Sequence, residues 1–213
     1  MIEVSQILQV ENADSRAISA QMNNLEFHEI GCLNWQNFTY KPQAKFAIAH
    51  NNNEIFIKYI VREQYIRAIY SNNNDSVCKD SCCEFFVSPD CNDVFYNFET
   101  NCIGTLLLGY RKLGEKSVHA TADIANKVHR FSSLGNRTFD TQTGDFIWEM
   151  IVIIPLQAFF MHKLYSLNGK TFTANFYKCG DDLPEPHYLS YSPIETQKPS
   201  FHQPAFFEKI LFI

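Results

Sequence analysis

In the stretch VFYNFETNCIG, Val94 to Gly104, apolar and polar side chains take turns. Tyr96, Phe98, Thr100 and Cys102 fall on one side of an extended backbone, and Asn97, Glu99 and Asn101 on the other, because strand side chains alternate faces. Short apolar-rich runs recur in AKFAIAHN, EIFIKYIV, YIRAIYS, SCCEFFVSP, DFIWEMIVIIP and KTFTANFYKCG, and each reads as a strand. The Asn-rich turn at Asn51 to Asn53 makes the first two antiparallel neighbours, while Pro89 and Pro155 close their strands. After Pro155, LQAFFMHKLYSL has the spacing of a helix of about three turns. Periodicity weakens between Lys112 and Asp140, where SLGNRTFDTQTGD reads as a loop or the start of a hairpin. The C-terminal region carries five prolines before a final strand and predicts a long segment, ordered or poorly structured. Neither internal repeats nor low-complexity sequence is present. Together these elements predict an all-β fold, an antiparallel β-sandwich of jelly-roll or immunoglobulin-like type with one or two short helices.

Composition narrows the picture. A chain of 213 residues with 46% hydrophobic composition suits one core, hence a single domain over residues 1–213. Nineteen Phe and ten Tyr favour strands and leave rings available for stacking on a ligand. The formal net charge of -5, without a dense Lys/Arg run, argues against a nucleic-acid partner. The longest apolar run, FIWEMIVIIPL, contains Glu149 and ends in Pro155, so no membrane span is expected. MIEVSQILQVENADS has no basic segment leading into an apolar run, so no signal peptide is visible; the expected compartment is the cytoplasm, or outside the cell if a signal was removed. Seven cysteines, an odd number without regular spacing, point to reduced thiols. Cys78, Cys82, Cys83 and Cys91 invite a zinc reading. Against it, paired C-x-x-C knuckles are missing and the adjacent Cys82 and Cys83 point to opposite faces, so no metal centre is expected.

The candidate chemistry lies in the polar row. Asn97, Glu99 and Asn101 face either plain water or a ligand rich in hydroxyl groups. A second strand bears on the choice: in DSCCEFFVSP, Glu84 shares a face with Cys82 and Phe86, while Cys83, Phe85 and Val87 take the other. If the two strands lie in one sheet, carboxylates and amides flanked by rings make a surface suited to sugars, whose hydroxyls need directional partners and whose C–H faces pack on aromatic planes.

Here the chain resembles the family 9 carbohydrate-binding modules, first known as modules attached to xylanases, within the DOMON-like sandwiches. DSCCEFFVSP is similar to that family's D-S-x-x-E-F-F strand and YNFETNCIGTLL to a segment of stand-alone bacterial members. SYSPIETQKPSFHQPAFFEKILF resembles the closing segment with its aromatic-x-x-P, and FIWEMIVIIPLQAF fits the W-x-x-x-x-x-I-P region. The resemblance covers about Lys45 to Phe212. It implies a saccharide ligand held at the end of its chain between two tryptophans, no catalysis by the module itself, and a task in carbohydrate catabolism beside enzymes such as xylanases. Residue by residue, Glu84 matches the sugar-bonding glutamate and Phe201 one tryptophan of the clamp. At the other tryptophan, shortly before Asp80, the chain offers Val77 or Cys78, and Glu99 falls near a place where the xylanase modules use arginine. Tyr188, Tyr191 and Trp35 are candidate replacement rings, Trp148 reads as core, and His202 either bonds a ligand or fixes its loop. Family members can also bind structural calcium, for which Asp181 and Asp182 are candidate oxygen ligands. The expected sugar contacts are therefore Glu84, Asn97, Glu99, Asn101, Tyr191, Phe201 and His202, with no cofactor apart from that calcium.

Three other readings stay open. Glu84 and Glu99 could serve a glycosidase only if about 5–10 Å apart across a bond. Some DOMON-like sandwiches resemble cytochrome domains, yet none of the seven histidines and four methionines pairs by spacing as haem ligands. A module that has lost one clamp ring could instead bind another protein.

Overall fold

The computed structural model describes residues 1–8, 14–90 and 93–213. The chain runs β1 (Ile2–Gln6), α1 (Ser15–Met22), β2 (His28–Glu29), β3 (Cys32–Leu33), β4 (Gln43–His50), β5 (Glu54–Ala68), β6 (Cys82–Ser88) and β7 (Val94–Asn101). It continues through β8 (Leu106–Lys112), β9 (Val118–His119), α2 (Ala122–Ala125), β10 (His129–Ser132), β11 (Phe139–Pro155), β12 (Thr171–Cys179), β13 (Tyr188–Ser190) and β14 (Glu208–Phe212). Local chemistry explains several junctions. At the β4–β5 hairpin, Asn51 Oδ1 accepts from the backbone N–H groups of Asn53 and Glu54, and Asn52 takes the left-handed conformation that asparagine tolerates. Between β7 and β8, Asn101 Oδ1 accepts from Thr105 N while Gly104, at φ +89°, completes the turn.

Two layers result. One has the order β10-β11-β5-β4 and the other β14-β12-β6-β7-β8-β9. Strand β1 lies between β4 and β14 and runs parallel to both, joining the layers into one mixed sheet. The core fills the space between them: Phe46 of β4 stacks on Phe176 of β12 at 3.5 Å, and Phe85 and Phe98 continue the row. Alternation then leaves the opposite face of each layer to be covered. Helix α1, capped by Asp14 accepting from Arg16 N and Ala17 N, lays Ile18 and Met22 over Ala47, Phe56 and Ile151. The Pro-rich segment covers the other layer, where Ile194 and Phe201 join Trp35, Phe86, Phe95 and Tyr177. No helix among the described residues is long and apolar enough to cross a membrane.

The sandwich agrees with the sequence expectation; some elements differ. LQAFFMHKLYSL is not a three-turn helix, since only Leu156–Ala158 forms a short 3-10 turn. Beyond it the backbone bonds outward, with Met161 N donating to Tyr96 Oη and Leu167 N to Asn52 O, while Phe159 inserts beside Tyr96 and Phe98. Tertiary partners there outcompete a helical ladder. Among the described residues the α-helices are α1 and α2, neither singled out by periodicity. EIFIKYIV and YIRAIYS merge into the 15-residue β5, and β1 went unpredicted with its parallel pairing. The Pro-rich segment is packed on the sheet rather than loose.

Candidate functional site

The strand registers assemble the site. Glu84 on β6 stands directly opposite Glu99 on β7, with Phe86 opposite Asn97 beside them. Asn97 in turn faces Gly109 on β8. Glu84, Asn97 and Glu99 point away from the core, under the segment around Ser200 to His202, and line a pocket of about 290 Å³. Arg111, His119, Cys78, Cys179, Asp181, Tyr188, Phe201 and His202 complete its walls.

Burial of acids sets the electrostatics. Glu84 and Glu99 are 2% and 6% exposed. Burial, and then the neighbouring Glu99, push the Glu84 carboxyl well above the usual range, while Cys179 Sγ donating at 3.1 Å works the other way. Glu99 is pushed up to about 7, chiefly by burial, against the Asn97 amide donating at 2.7 Å and the charge of Arg111. Asp181, raised to about 6 by burial and by Asp182, adds a third acid. His202 goes the opposite way: burial, reinforced by Arg111, lowers it to about 4, so its ring is neutral near pH 7.

Three polar atoms on these walls are buried without a hydrogen-bond partner: Asn97 Oδ1, Arg111 Nε and His202 Nε2. Such atoms are costly in a folded protein unless something else satisfies them. Among the described residues, the other two atoms in that condition, Glu63 Oε2 and Asp80 Oδ1, lie elsewhere, and each faces a cation, Lys178 at 2.9 Å and Arg67 at 3.5 Å. A larger depression of about 720 Å³ on the other layer, between Lys41, Lys45 and Arg62, contains none of these atoms. The smaller pocket is therefore the candidate site.

Of the residues expected from sequence, Glu84, Asn97, Glu99, Phe201 and His202 converge here. Asn101 and Tyr191 do not line the pocket. Asn101 donates to Asp80 Oδ2 and Tyr70 O, which ties down the β7–β8 turn, and Tyr191 packs on Phe46 and His28 across the other side of β12. Phe201 is 7% exposed, stacked on Tyr177 at 4.2 Å, so it is wall more than open platform. Tyr188, half-buried on the rim and edge-on to Phe38 and Trp35, is the better-placed ring. Trp35 lies behind it, and Trp148 is in the core. Arg111, Gly109 and Asp181 are the contributors that alternation on single strands did not single out as sugar contacts. Asp182 ion-pairs with Arg67 and Lys79 instead of joining Asp181 in an oxygen cluster. The four-cysteine cluster is not assembled: Cys83 faces the core, and Cys91 lies outside the described residues.

The profile of carbohydrate-binding family 9 matches residues 14–212. The chain belongs to that family. A crystal structure from Bacteroides uniformis ATCC 8492, of a candidate carbohydrate-binding protein, is similar at 41% identity and a TM-score of 0.96, covering 100% of this chain and 98% of that one. A family 9 module from Caldicellulosiruptor kristjanssonii, solved with glucose, shares the fold at 15% identity and a TM-score of 0.63, covering 100% of this chain and 95% of that one. The same organism's module with cellotriose superposes at a TM-score of 0.64 and 15% identity, with 99% and 92% covered. No curated protein sequence matches the chain.

Proposed function

We propose that this family member binds the terminal sugar of a neutral saccharide, glucose or a short cello-oligosaccharide, in the pocket between Glu84, Asn97, Arg111 and His202. The observation that carries the reading is the trio of buried, unpartnered atoms on Asn97, Arg111 and His202 in one pocket. Sugar hydroxyls donate to and accept from such groups at once, so they satisfy a mixed set that a hydrocarbon ligand would leave unpaired. Glu99 adds an acceptor, and Tyr188 with Phe201 offers a ring wall for a C–H face. The volume, at the small end of ligand pockets, suits one ring at a chain end.

The role is binding rather than hydrolysis. Glu84 and Glu99 sit side by side on one wall as a direct cross-strand pair, whereas a glycosidase needs carboxyls flanking the scissile bond. A place in carbohydrate catabolism has family membership as its support. The test is isothermal titration calorimetry with glucose, cellobiose, cellotriose, xylose and xylobiose. Micromolar to millimolar binding, with the gluco-configured ligands preferred and weakened about tenfold or more in Arg111→Ala, is the expected result. No heat from folded protein with any of these sugars would sink the proposal.

A further inference from the structure

A second constellation adjoins the pocket, whose wall Glu84 and Cys179 help to form. Cys82 and Cys179 are direct cross-strand partners on β6 and β12, and Glu84 follows Cys82 by two residues on the same face. Cys179 Sγ approaches Glu84 Oε1 at 3.1 Å, Cys82 Sγ lies 3.9 Å from that same oxygen, and the three ligand atoms all fall within 4.8 Å of one another. All three residues are buried. Among the described residues, no other group of three or more His, Cys, Asp or Glu converges in this way.

We propose that Cys82, Cys179 and Glu84 bind a thiophilic divalent cation, zinc being the expected ion, with the fourth coordination position turned toward the pocket. Tetrahedral zinc takes sulfur at about 2.3 Å and carboxylate oxygen at about 2.0–2.2 Å. Those lengths put neighbouring ligand atoms roughly 3.5–3.8 Å apart, so the 3.1 Å Cys179–Glu84 contact would lengthen slightly while the wider separations close by about 1 Å or less. Chemistry favours the ion as well. A thiol is a weak donor, and two thiols compensate a buried carboxylate poorly; a dication satisfies all three ligands together. Surrounding charge points the same way, because Glu99 and Asp181 line the pocket beside the cluster, with Arg111 as the guanidinium opposite. On binding, the two S–H bonds and the O–H bond of the Glu84 carboxyl break, two sulfur–metal bonds and one oxygen–metal bond form, and the released protons pass to solvent, with no change of oxidation state. Sequence spacing hid the site because its second sulfur comes from β12, far along the chain from Cys82, while Cys83 faces away.

The site goes beyond the sugar-binding reading and does not depend on it: the ion would occupy Glu84 and leave Asn97, Glu99, Arg111 and His202 to a saccharide. The test titrates cobalt(II) into the reduced, metal-stripped full-length chain, with sugar titrations run in parallel on the metal-free protein so that either idea can fail alone. Expected are thiolate-to-cobalt charge-transfer bands and strong tetrahedral visible bands saturating at one equivalent, bleached by zinc. They should be lost in Cys82→Ser and Cys179→Ser and kept in Cys32→Ser, whose thiol bonds Tyr191 O away from the pocket. The wild-type spectrum is read before any substitution, so a variant that misfolds cannot mask the answer. Cobalt bound without thiolate bands, bands that survive in both pocket variants, or a Cys82–Cys179 disulfide mapped in the freshly purified protein would each overturn the proposal.

Discussion

Gly109 shows how much one missing carbon can decide. A Cβ built there would collide with Asn97 Oδ1 and reach Ser117 Oγ at 2.8 Å, so Gly109→Ala should swing the Asn97 amide out of place. The expected outcome is a loss of about tenfold or more in saccharide affinity by calorimetry, with the circular dichroism spectrum unchanged. His202 makes a different prediction. Its folded-state pKa of about 4 lies below the ordinary histidine value of about 6.5. The unfolded chain therefore takes up the proton first. The neutral ring's contribution is complete above about pH 6.5 and is lost as the pH falls toward 4. Urea midpoints measured at about pH 7 and about pH 4.5 should differ less in His202→Gln than in the wild type, by on the order of 1–3 kcal/mol in stability. Much of this site was legible residue by residue: alternation puts Asn97 and Glu99 on one face of their strand, and the pairing of β6 with β7 brings Glu84 beside them. Arg111 was not, because in LLLGYRK it reads as the polar end of a strand, and only the pairing of β7 with β8 brings it over the row. Asn101 is expected at the sugar because alternation gives a face and says nothing about what covers it, and Tyr191 because proximity to Phe201 in sequence does not tell on which side of β12 a ring packs.

Among the elements, the Pro-rich segment after β13 does two jobs. It seals the outer face of the β12-β6-β7 layer with Ile194, Phe201 and Phe207, and in doing so builds the pocket wall. Phe201→Ala should therefore cost stability as well as affinity, about 3–5 kcal/mol for a buried ring, read as a lowered denaturation midpoint. A ring that served only as an exposed stacking platform would cost far less. Strands β4 to β8, β11 and β12 were legible from apolar-rich runs, whereas β1 and the two-residue β2, β3 and β9 were not. The segment after Pro155 was misread because its buried residues, Leu156, Ala158, Phe159 and Leu167, occur at near-helical spacing yet are held one by one by β7 and the β4–β5 turn. Periodicity cannot distinguish a helix from a loop whose apolar side chains each find a separate slot.

Across the whole molecule, the two layers are also linked by charge. Lys178 of β12, fully buried, meets Glu63 Oε2 of β5 at 2.9 Å and His187 Nε2 at 2.8 Å, while Trp148 Nε1 donates to Glu63 Oε1. Removing one partner strands the other in the core, so Glu63→Gln should destabilise by about 3–5 kcal/mol in chemical denaturation, and the Glu63→Leu/Lys178→Met double variant should recover most of that loss. The single strand that unites the layers has another consequence. Ile2 pairs with Ile210 and Val4 with Phe212, which is among the most distant pairings in sequence that the chain can make. Strand β1 has a nearer mate in β4, through Ser5 with Ala49 and Gln6 with His50, but the two layers stay unjoined until β14 reaches its other edge. Local hairpins such as β4–β5 close short loops and can form first, whereas closure of the fold is slowed by the entropy of bringing such remote segments together.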